Sequence, residues 1–323
     1  MTQNAGSDLA YASELLANNK LVAIPTETVY GIAANALSPI AVAKIFEIKE
    51  RPSFDPLIVH VASIDDFSKY GKNISKWVYK IAEKFCPGPI TFILQKKNII
   101  PDIVTSGLPT VGIRIPDHPM TLGLLKITNF PLAAPSANKF GKISPTNANH
   151  VSRQFGKNLD YIINGGSTKV GIESTIIKIA DNTLFLLRHG GISAEELSDF
   201  TKLKIVDSTQ NNHLPQAPGQ LLNHYAPDTK LIICRKQDIK TEMLNRKAAF
   251  LGFKSFIDEL PHNQQYILSE TGDLREAASK LFSTLHKIDE LDYKLIIAEE
   301  FPNEGLGIAI NDRLKRASAS FND

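Results

Sequence analysis

The sequence predicts an α/β protein of two domains, in which a larger domain with a mixed β-sheet precedes a smaller α/β domain. Three observations carry this prediction. The chain has 323 residues, more than most single domains contain. Apolar runs of strand length alternate with helical periodicity early in the chain and cluster more closely later, which favours a mixed sheet over a purely parallel one. A polar segment punctuated by Pro and Gly then separates this pattern from a second one.

Residues 1–203 make up the first predicted domain. Ser38 followed by Pro39 is typical of a helix N-terminus, and the helix that they begin should end before Pro52. Apolar residues at helical spacing predict further helices over residues 8–18 and 75–85. Short apolar runs predict strands over residues 21–24, 57–61, 90–94, 111–115, 132–134, 161–163, 175–179 and 184–187.

Residues 204–228 have the composition of a linker, because they are polar and rich in Pro and Gly. Residues 229–323 form the second predicted domain, a small Rossmann-like α/β unit without a glycine-rich phosphate loop. Its strands are expected over residues 231–234, 248–253, 266–268 and 295–298, and its helices over residues 274–288 and 307–318.

Composition and charge argue against several classes of protein. The formal net charge is only +2, whereas a non-specific nucleic-acid binder normally has a strongly basic face or tail. Cys86 and Cys234 lie far apart without a CxxC partner, so neither a disulfide framework nor a structural zinc site is expected. The chain opens without a signal-peptide pattern, and no apolar run approaches the roughly 18 residues of a membrane span. We therefore expect a cytoplasmic protein that does not contact membranes.

Lys49 and Arg51 lie two residues apart at a predicted helix end. Cations in this place commonly complement the helix dipole or face solvent. The alternative is that both point at phosphate oxygens, arginine as a planar fork and lysine as a point charge. The pair alone does not decide between these interpretations.

Arg114 and His60 each interrupt an apolar strand. An arginine in such a run needs an anionic partner, which is either a carboxylate of this chain, such as Glu173, or the carboxylate of a substrate. A histidine in a strand is commonly a satisfied core residue, but His60 is also placed to contact a small ligand on the same sheet.

Hydroxyl and amide side chains fall around Pro135 and Pro145, namely Ser136, Asn138 and Ser144, and Ser174 lies where a predicted strand opens. Turn chemistry alone is sufficient to explain them, since Ser and Asn form local hydrogen bonds with the backbone. Arg188, at a strand end, has an equally simple interpretation as a surface arginine. Their order along the chain carries more information than any one of them.

Read in order, these segments closely resemble the YrdC-like family of threonylcarbamoyl-AMP synthases, in its long form with an additional C-terminal domain. The segments that carry the resemblance are Pro25–Gly31, Lys49–Pro52, Pro56–His60, Ser136–Asn138, Gly171–Thr175, Leu187–Gly191, His224–Pro227 and Ala309–Leu314. The resemblance implies a YrdC-like twisted mixed sheet flanked by helices, followed by the small Rossmann-like domain.

The resemblance also implies a nucleotidyltransferase reaction. L-Threonine and bicarbonate form an N-carboxy adduct, whose carboxylate attacks the α-phosphorus of ATP and displaces pyrophosphate. Mg²⁺ is expected to accompany ATP rather than to occupy a protein ligand cage. The product would pass to a separate tRNA threonylcarbamoyl-transferase machinery, which leaves room for a weak contact between this chain and tRNA.

By the same resemblance, the site residues fall into three groups. The catalytic group is Lys49, Arg51, Ser136 and Asn138. The ATP-binding group is Arg51, Asp55, Thr110, Ser136, Ser144, Arg188 and Tyr225. The threonine-binding group is Thr28, His60, Arg114, Ala134 and Ser174. Because Tyr225 lies in the predicted linker, residues 204–228 are also expected to act as a lid over the site.

One position departs from the family pattern, since Asp55 stands where the family usually has asparagine. An aspartate lacks the amide donors and places a negative charge near phosphates unless Arg51 or magnesium offsets it. The competing interpretation of the whole chain is an RNA-binding module of YrdC type without adenylate-forming activity. The nearly neutral charge and the lack of interleaved aromatic residues argue against that alternative.

Overall fold

The computed structural model describes residues 4–209, 224–243 and 247–321. In these ranges the chain forms two α/β units, which pack against each other. No helix within the same ranges is long and apolar enough to cross a membrane.

The first unit contains strands β1 to β12 and helices α1 to α8. Their bounds are β1 Ala5–Gly6, α1 Leu9–Ala17, β2 Val22–Ile24, β3 Gly31–Asn35, α2 Pro39–Lys49, β4 Ile58–His60, α3 Phe67–Tyr70, β5 Gly71–Lys72, α4 Lys76–Phe85, β6 Ile90–Lys96, α5 Asp102–Thr105, β7 Thr110–Arg114, α6 Pro119–Thr128, β8 Leu132–Ala133, α7 Ala148–Phe155, β9 Tyr161–Ile163, β10 Thr175–Ala180, β11 Thr183–Arg188, α8 Ala194–Thr201 and β12 Lys204–Asp207. Side chains of Asp8, Ser38 and Ser75 cap α1, α2 and α4 by accepting backbone N–H bonds.

The strands of the first unit form one mixed sheet in the order β1-β9-β2-β3-β8-β4-β7-β6-β10-β11-β12, with β5 paired to β6. Strand β7 pairs in parallel with β4 and antiparallel with β6, which in turn pairs in parallel with β10. The predicted mixed sheet is therefore confirmed. Helices cover it, and the main apolar core lies between α2, α4 and the sheet.

Four strands of the first unit lie where the sequence predicts none, namely the two-residue strands β1 and β5 and the longer β3 and β12. Strand β3 is built from Gly31–Asn35, a small-residue run that does not have a strand composition. Strand β12 begins at Lys204, where the predicted linker should begin, because it pairs in parallel with the edge of β11. The first sheet thus extends to Asp207, into the range 204–228 that the sequence assigns to the linker. Most of the predicted lid, residues 210–223, lies outside the described residues.

The second unit is a four-stranded parallel sheet in the order β13-β16-β14-β15. Its elements are β13 Lys230–Cys234, α9 Ile239–Met243, β14 Ala248–Gly252, β15 Gln265–Ile267, α10 Leu274–Asp289, β16 Leu295–Glu299 and α11 Gly305–Ala319. Helix α9 packs in one apolar cluster, whereas α10 and α11 pack in another. The two clusters cover the two faces of the small sheet, which confirms the predicted Rossmann-like architecture.

Helices α10 and α11 also hold the two units together. Val29, Ile143 and Ile172 of the first unit belong to the same buried apolar cluster as residues of these helices. Gly171 has φ +76°, and a Cβ there would lie 2.5 Å from Cα of Ser279. The backbone before β10 therefore lies directly against α10, which brings the second unit close to the ends of β10 and β11.

Candidate active site

A pocket opens in the first unit where the ends of several strands meet. Seven predicted site residues line it: Arg51, His60, Arg114, Ala134, Ser136, Arg188 and Tyr225. Polar residues for which the sequence predicts no role in binding or catalysis line it as well, namely Thr26, Tyr30, Glu173 and His224. The strand β4–β7 pairing places Arg114 directly beside His60, so residues distant in the sequence reach one space.

Arg114 is buried and held from one side by the segment between β2 and β3. Its Nη2 donates to Glu27 Oε1 at 2.6 Å and to Thr28 Oγ1 at 2.8 Å. The other Glu27 oxygen accepts from the backbone N–H of Asp117 at 2.9 Å. The intramolecular partner considered from the sequence, Glu173, is therefore wrong. The arginine lines the pocket and retains further donors for an anion.

His60 contributes a neutral ring beside Arg114. Burial and the charge of Arg114 lower the pKa of His60 to about 3. Its Nδ1 has no hydrogen-bond partner among the described residues. Ala134 completes this side of the pocket, and its backbone N–H donates to the Ile58 carbonyl at 3.0 Å. Arg114 and His60 thus give this side of the pocket one cation and one uncharged ring. Thr28 does not line the pocket, and its hydroxyl instead holds Arg114 in place.

Ser174 and Arg188 are directly bound to each other. Arg188 Nε donates to the Ser174 carbonyl at 3.0 Å, and Arg188 Nη2 donates to Ser174 Oγ at 3.0 Å. The Ser174 hydroxyl also shares a hydrogen bond of 2.8 Å with Thr91. Ser174 is fully buried, whereas Arg188 lines the pocket. A residue predicted for threonine thus positions a residue predicted for ATP.

Lys49 lies behind the pocket at the end of α2. Its Nζ donates to the backbone carbonyl of Ser136 at 2.6 Å and to that of Asn138. Burial holds the pKa of Lys49 well below its usual range, and the nearby Arg51 charge acts in the same direction. Asn138 is also buried and donates through Nδ2 to the carbonyls of Lys139 and Lys142. Both residues therefore shape the turn that presents Ser136 to the pocket.

Arg51 follows Glu50, which ends α2 in the left-handed region with φ 53°. Its guanidinium donates to the carbonyls of Asp55 and Pro56 at 3.1 and 2.9 Å. It also lies 2.8 Å from Asp55 Oδ2, and both side chains are buried. Burial raises the pKa of Asp55, while the Arg51 charge opposes that rise. Arg51 is therefore the group that offsets the unusual aspartate.

Thr110 begins strand β7, on the same sheet face as Arg114 but at the opposite end of the strand. It precedes Gly112, which pairs with Ile58 of β4. Thr110 is therefore separated from Arg114 by the length of the strand, and it does not line the pocket.

Ser144 and Tyr225 connect the site to the second unit. Ser144 Oγ donates to Glu173 Oε1 at 2.6 Å, and Glu173 Oε2 is 3.1 Å from Nε of Arg313 in α11. The Tyr225 ring packs on Phe282 of α10, with the ring centroids 5.6 Å apart. Burial and Glu173 raise the pKa of Tyr225 to about 12, so its hydroxyl stays protonated at neutral pH.

For four of these polar residues the sequence predicts no part in binding or catalysis: Glu27, Glu173, His224 and Arg313. All four lie inside segments that carried the resemblance. Glu27 stands beside Thr28, and Arg313 stands in the last of these segments. The position of each residue inside a motif is therefore the sequence signal that points to it. The partner of each residue, by contrast, depends on contacts between segments far apart in sequence.

Comparison with known proteins agrees with this architecture. Residues 14–190 match the Sua5/YciO/YrdC family model, described as telomere recombination, and residues 192–319 match the model of the threonylcarbamoyl-AMP synthase C-terminal domain. The chain is 38% identical over 322 residues to a threonylcarbamoyl-AMP synthase of Pyrococcus abyssi, which covers 95% of this chain and 93% of the relative. It is 38% identical over 320 residues to that of Bacillus subtilis, with 96% and 92% covered.

A solved structure extends the likeness to three dimensions. The crystal structure of P. abyssi Sua5 complexed with L-threonine superposes with a TM-score of 0.88 at 36% sequence identity. The superposition covers 97% of this chain and 94% of that chain. The resemblance inferred from the motifs is thus confirmed over both units. The chain belongs to the threonylcarbamoyl-AMP synthases of the Sua5/YciO/YrdC family, in the long form that carries the additional C-terminal domain.

Proposed function

We propose that this chain joins L-threonine, bicarbonate and ATP into threonylcarbamoyl-AMP and releases pyrophosphate. The observation that carries the proposal is that two different basic groups face one pocket. Arg114 lies at one side beside His60, and Arg51 and Arg188 face the same space. A single arginine suits a carboxylate, while several cations suit a polyphosphate. The L-threonine bound to the Pyrococcus abyssi relative supports the first of these assignments.

The threonine half of the pocket is assigned to Thr28, His60, Arg114, Ala134 and Ser174. Arg114 takes the substrate carboxylate, since Glu27 and Thr28 occupy only its Nη2. His60 is uncharged at neutral pH, because its pKa is lowered to about 3. An uncharged ring does not compete with Arg114 for the carboxylate and does not repel the substrate amine.

In the proposed reaction, a carboxylate oxygen of N-carboxy-threonine forms a bond to the α-phosphorus of ATP. The bond from that phosphorus to the oxygen shared with the β-phosphate breaks, and pyrophosphate leaves with the electron pair. Negative charge grows on the phosphoryl oxygens and on the leaving group, so preorganised cations and donors give the main assistance. Arg51 and Arg188 supply charge at the pocket wall, and Ser136 supplies a hydroxyl.

The remaining predicted residues support this wall. Lys49 and Asn138 fix the turn at Ser136 through the backbone carbonyl contacts and side-chain bonds described above. We assign Ser144, Thr110 and Tyr225 to the nucleotide, together with Asp55, whose charge Arg51 offsets. The chemistry is then positioning and charge stabilisation without a covalent enzyme intermediate.

Magnesium fits this proposal as a companion of ATP. The carboxylate that lines the pocket, Glu173, is already bound by Ser144 and Arg313. Within the described ranges, no group of three or more His, Cys, Asp or Glu side chains is placed to hold a metal ion. The triphosphate oxygens would therefore be the principal ligands of the ion, which would supply neutralisation of their charge.

The product would serve tRNA modification in the cytoplasm through a separate transferase. The alternative of an RNA-binding module fits less well. Arg51, Arg114 and Arg188 are each at most 8% exposed, whereas binding to an RNA backbone needs cations on an accessible surface. Any contact with tRNA would then be weak and made outside the pocket.

The test is pyrophosphate release from ATP with each substrate omitted in turn. Release should require L-threonine and bicarbonate together. Arg114→Gln should raise the KM for threonine at least about tenfold, because one charge-assisted carboxylate contact is lost, and leave the KM for ATP within about twofold. Arg235→Gln, at an exposed arginine of the second unit, is the matched control. Pyrophosphate release that does not depend on both substrates would contradict the proposal.

A further inference from the structure

Arg313 belongs to the second unit, but most of its polar contacts lie in the first. It is 1% exposed on helix α11. Nε is 3.1 Å from Glu173 Oε2, and Nη1 donates to the backbone carbonyl of His189 at 2.7 Å. Nη1 also contacts Asp312 of its own helix at 3.1 Å. An arginine buried so completely is held by several partners because its charge cannot reach water.

Each contact of Arg313 with the first unit leads to a residue assigned to the nucleotide. Glu173 accepts the hydroxyl hydrogen of Ser144 at 2.6 Å. His189 directly follows Arg188 in the chain. The guanidinium carbon lies 5.4 Å from the centre of the Tyr225 ring, within the range of a cation–π contact. Arg313 therefore contacts Tyr225 directly, and it contacts the neighbours of Ser144 and Arg188. These are three of the residues assigned to the nucleotide.

The positive charge of Arg313 also offsets the negative charge of Glu173 in the pocket. Glu173 lines the pocket and is 5% exposed. A buried carboxylate facing a polyphosphate would repel it strongly, since charges interact far more strongly in a protein interior than in water. The adjacent guanidinium of Arg313 offsets the carboxylate charge while leaving Glu173 Oε1 bound to Ser144.

We propose that Arg313 is a positioning residue for ATP, through which the second unit completes the nucleotide half of the active site. The inference rests on the proposed function for the identity of the ligand. It assigns to the second unit a part in ATP binding that acts through Glu173, His189 and Tyr225 and is distinct from burial of apolar surface. Threonine binding should be largely independent of Arg313, because Arg114 is held by Glu27 and Thr28 of the first unit.

The first experiment compares Arg313→Gln with the unmodified full-length chain. The dissociation constants of ATP and L-threonine are each measured alone by calorimetry, and the KM values by pyrophosphate release. Arg313→Gln should weaken ATP binding at least about tenfold and change threonine binding less than about twofold. Arg275→Gln is the matched control, because Arg275 also pairs across the two units, with Glu196 at 2.6 Å, but is exposed.

A second variant separates the charge argument from a merely structural role. Arg313→Gln leaves Glu173 uncompensated, so adding Glu173→Gln should recover part of the lost ATP affinity, about threefold or more. A structural role predicts that the double variant binds ATP no better than Arg313→Gln. Such a result, or equal losses for ATP and threonine, would overturn the inference. If Arg313→Gln does not fold, Arg313→Lys carries the test, and unchanged ATP affinity in that variant would overturn it as well.

The experiment also distinguishes this inference from the proposed function. Pyrophosphate release by the unmodified chain tests the function alone. If that activity is present and Arg313→Gln retains normal ATP binding, the inference fails and the function stands. If the activity is absent but ATP still binds, the comparison of ATP affinities between the variants still decides the role of Arg313.

Discussion

At the scale of single residues, the pocket is organised by pairs of buried opposite charges. Arg114 pairs with Glu27, Arg51 with Asp55 and Arg313 with Glu173, each within 3.1 Å. Such pairs add little net stability, because desolvation consumes most of the Coulomb attraction. Their effect is to keep arginines in a site that has to accept anions, without leaving a buried charge uncompensated before the substrates bind.

The Arg114 pair leads to a prediction about ligand-dependent stability. Glu27→Gln keeps the shape of the side chain but leaves the Arg114 charge without its partner, so the free energy of unfolding should fall by about 3 kcal/mol. Thr28 still accepts from Arg114 at 2.8 Å, so the guanidinium stays in place. Saturating L-threonine should then raise the Tm of the variant more than that of the unmodified chain, because the substrate carboxylate replaces the missing charge.

The control for this prediction is Glu83→Gln, at an exposed acid on α4. Its Tm and its threonine shift should match those of the unmodified chain. Thermal unfolding with and without threonine measures both quantities. A smaller threonine shift in Glu27→Gln than in the unmodified chain would mean that Glu27 orients Arg114 for the substrate rather than neutralising it.

The sequence predicted which residues lie at the pocket better than it predicted their partners. Arg114 in an apolar strand needed an anion on physical grounds, yet the anion is Glu27 rather than Glu173. The choice depends on which loops the sheet brings together, and 87 residues separate Arg114 from Glu27. Asp55 shows the opposite case, because its partner Arg51 lies only four residues away, just after the end of α2, so local sequence was sufficient.

At the scale of elements, the turn that follows strand β11 fixes the distance between Ser174 and Arg188. Gly190 lies so close to the start of β10 that an added Cβ would be 2.4 Å from the Glu173 carbonyl oxygen and 2.4 Å from the Ser174 carbonyl carbon. These are backbone atoms, which cannot move aside as a flexible side chain can. Glycine is therefore required here for close approach of two chain segments.

Gly190→Ala should consequently damage stability and the site together. The overpacked contact should lower the free energy of unfolding by about 2 kcal/mol. It should also lower kcat/KM at least about tenfold, because the Ser174–Arg188 hydrogen bonds lie beside it. Urea unfolding and pyrophosphate release measure the two effects.

Gly123→Ala in helix α6 is the control, since its Cβ would meet only the end of the Leu9 side chain at 3.1 Å and helix propensity favours alanine. Equal behaviour of the two variants would contradict the argument.

Most long elements were predictable because their signals are local. Helix α2 has its Ser38 cap and Pro39, and it ends at Lys49 as the approaching Pro52 requires. Strand β3 was not predictable in this way, because Gly31–Asn35 lacks β-branched bulk and is held by β2 and β8 on its two sides. Strand β12 likewise depends on the exposed edge of β11. Pairing partners are tertiary information that propensity does not contain.

At the scale of the whole molecule, a second interface joins the units beside the site. His150 of α7 stacks on His286 of α10, with ring centroids 3.9 Å apart. His286 Nε2 lies 3.2 Å from the Ser144 carbonyl, so the interface reaches a residue assigned to ATP. The surrounding charges are mixed: Arg153 pairs with Glu290 and Lys142 pairs with Asp228, while Asp289 accepts backbone N–H bonds from residues 228 and 229. Arg153 opposes protonation of both rings.

This stack predicts a loss of stability on mild acidification. Burial lowers the pKa of His150 to about 3, and burial also lowers the pKa of His286. The unfolded chain titrates near the usual value of about 6.5 and binds more protons below it, so the folded state loses its advantage progressively as the pH falls from about 6.5. The free energy of unfolding, measured by urea at several pH values, should therefore decrease between about pH 7 and 5.

His286→Gln keeps a donor for the Ser144 carbonyl but removes one titrating ring, so its decrease should be smaller. His262→Gln, at an exposed histidine of the second unit, should retain the full decrease, and an equally steep decrease in both variants would show that the stack does not contribute.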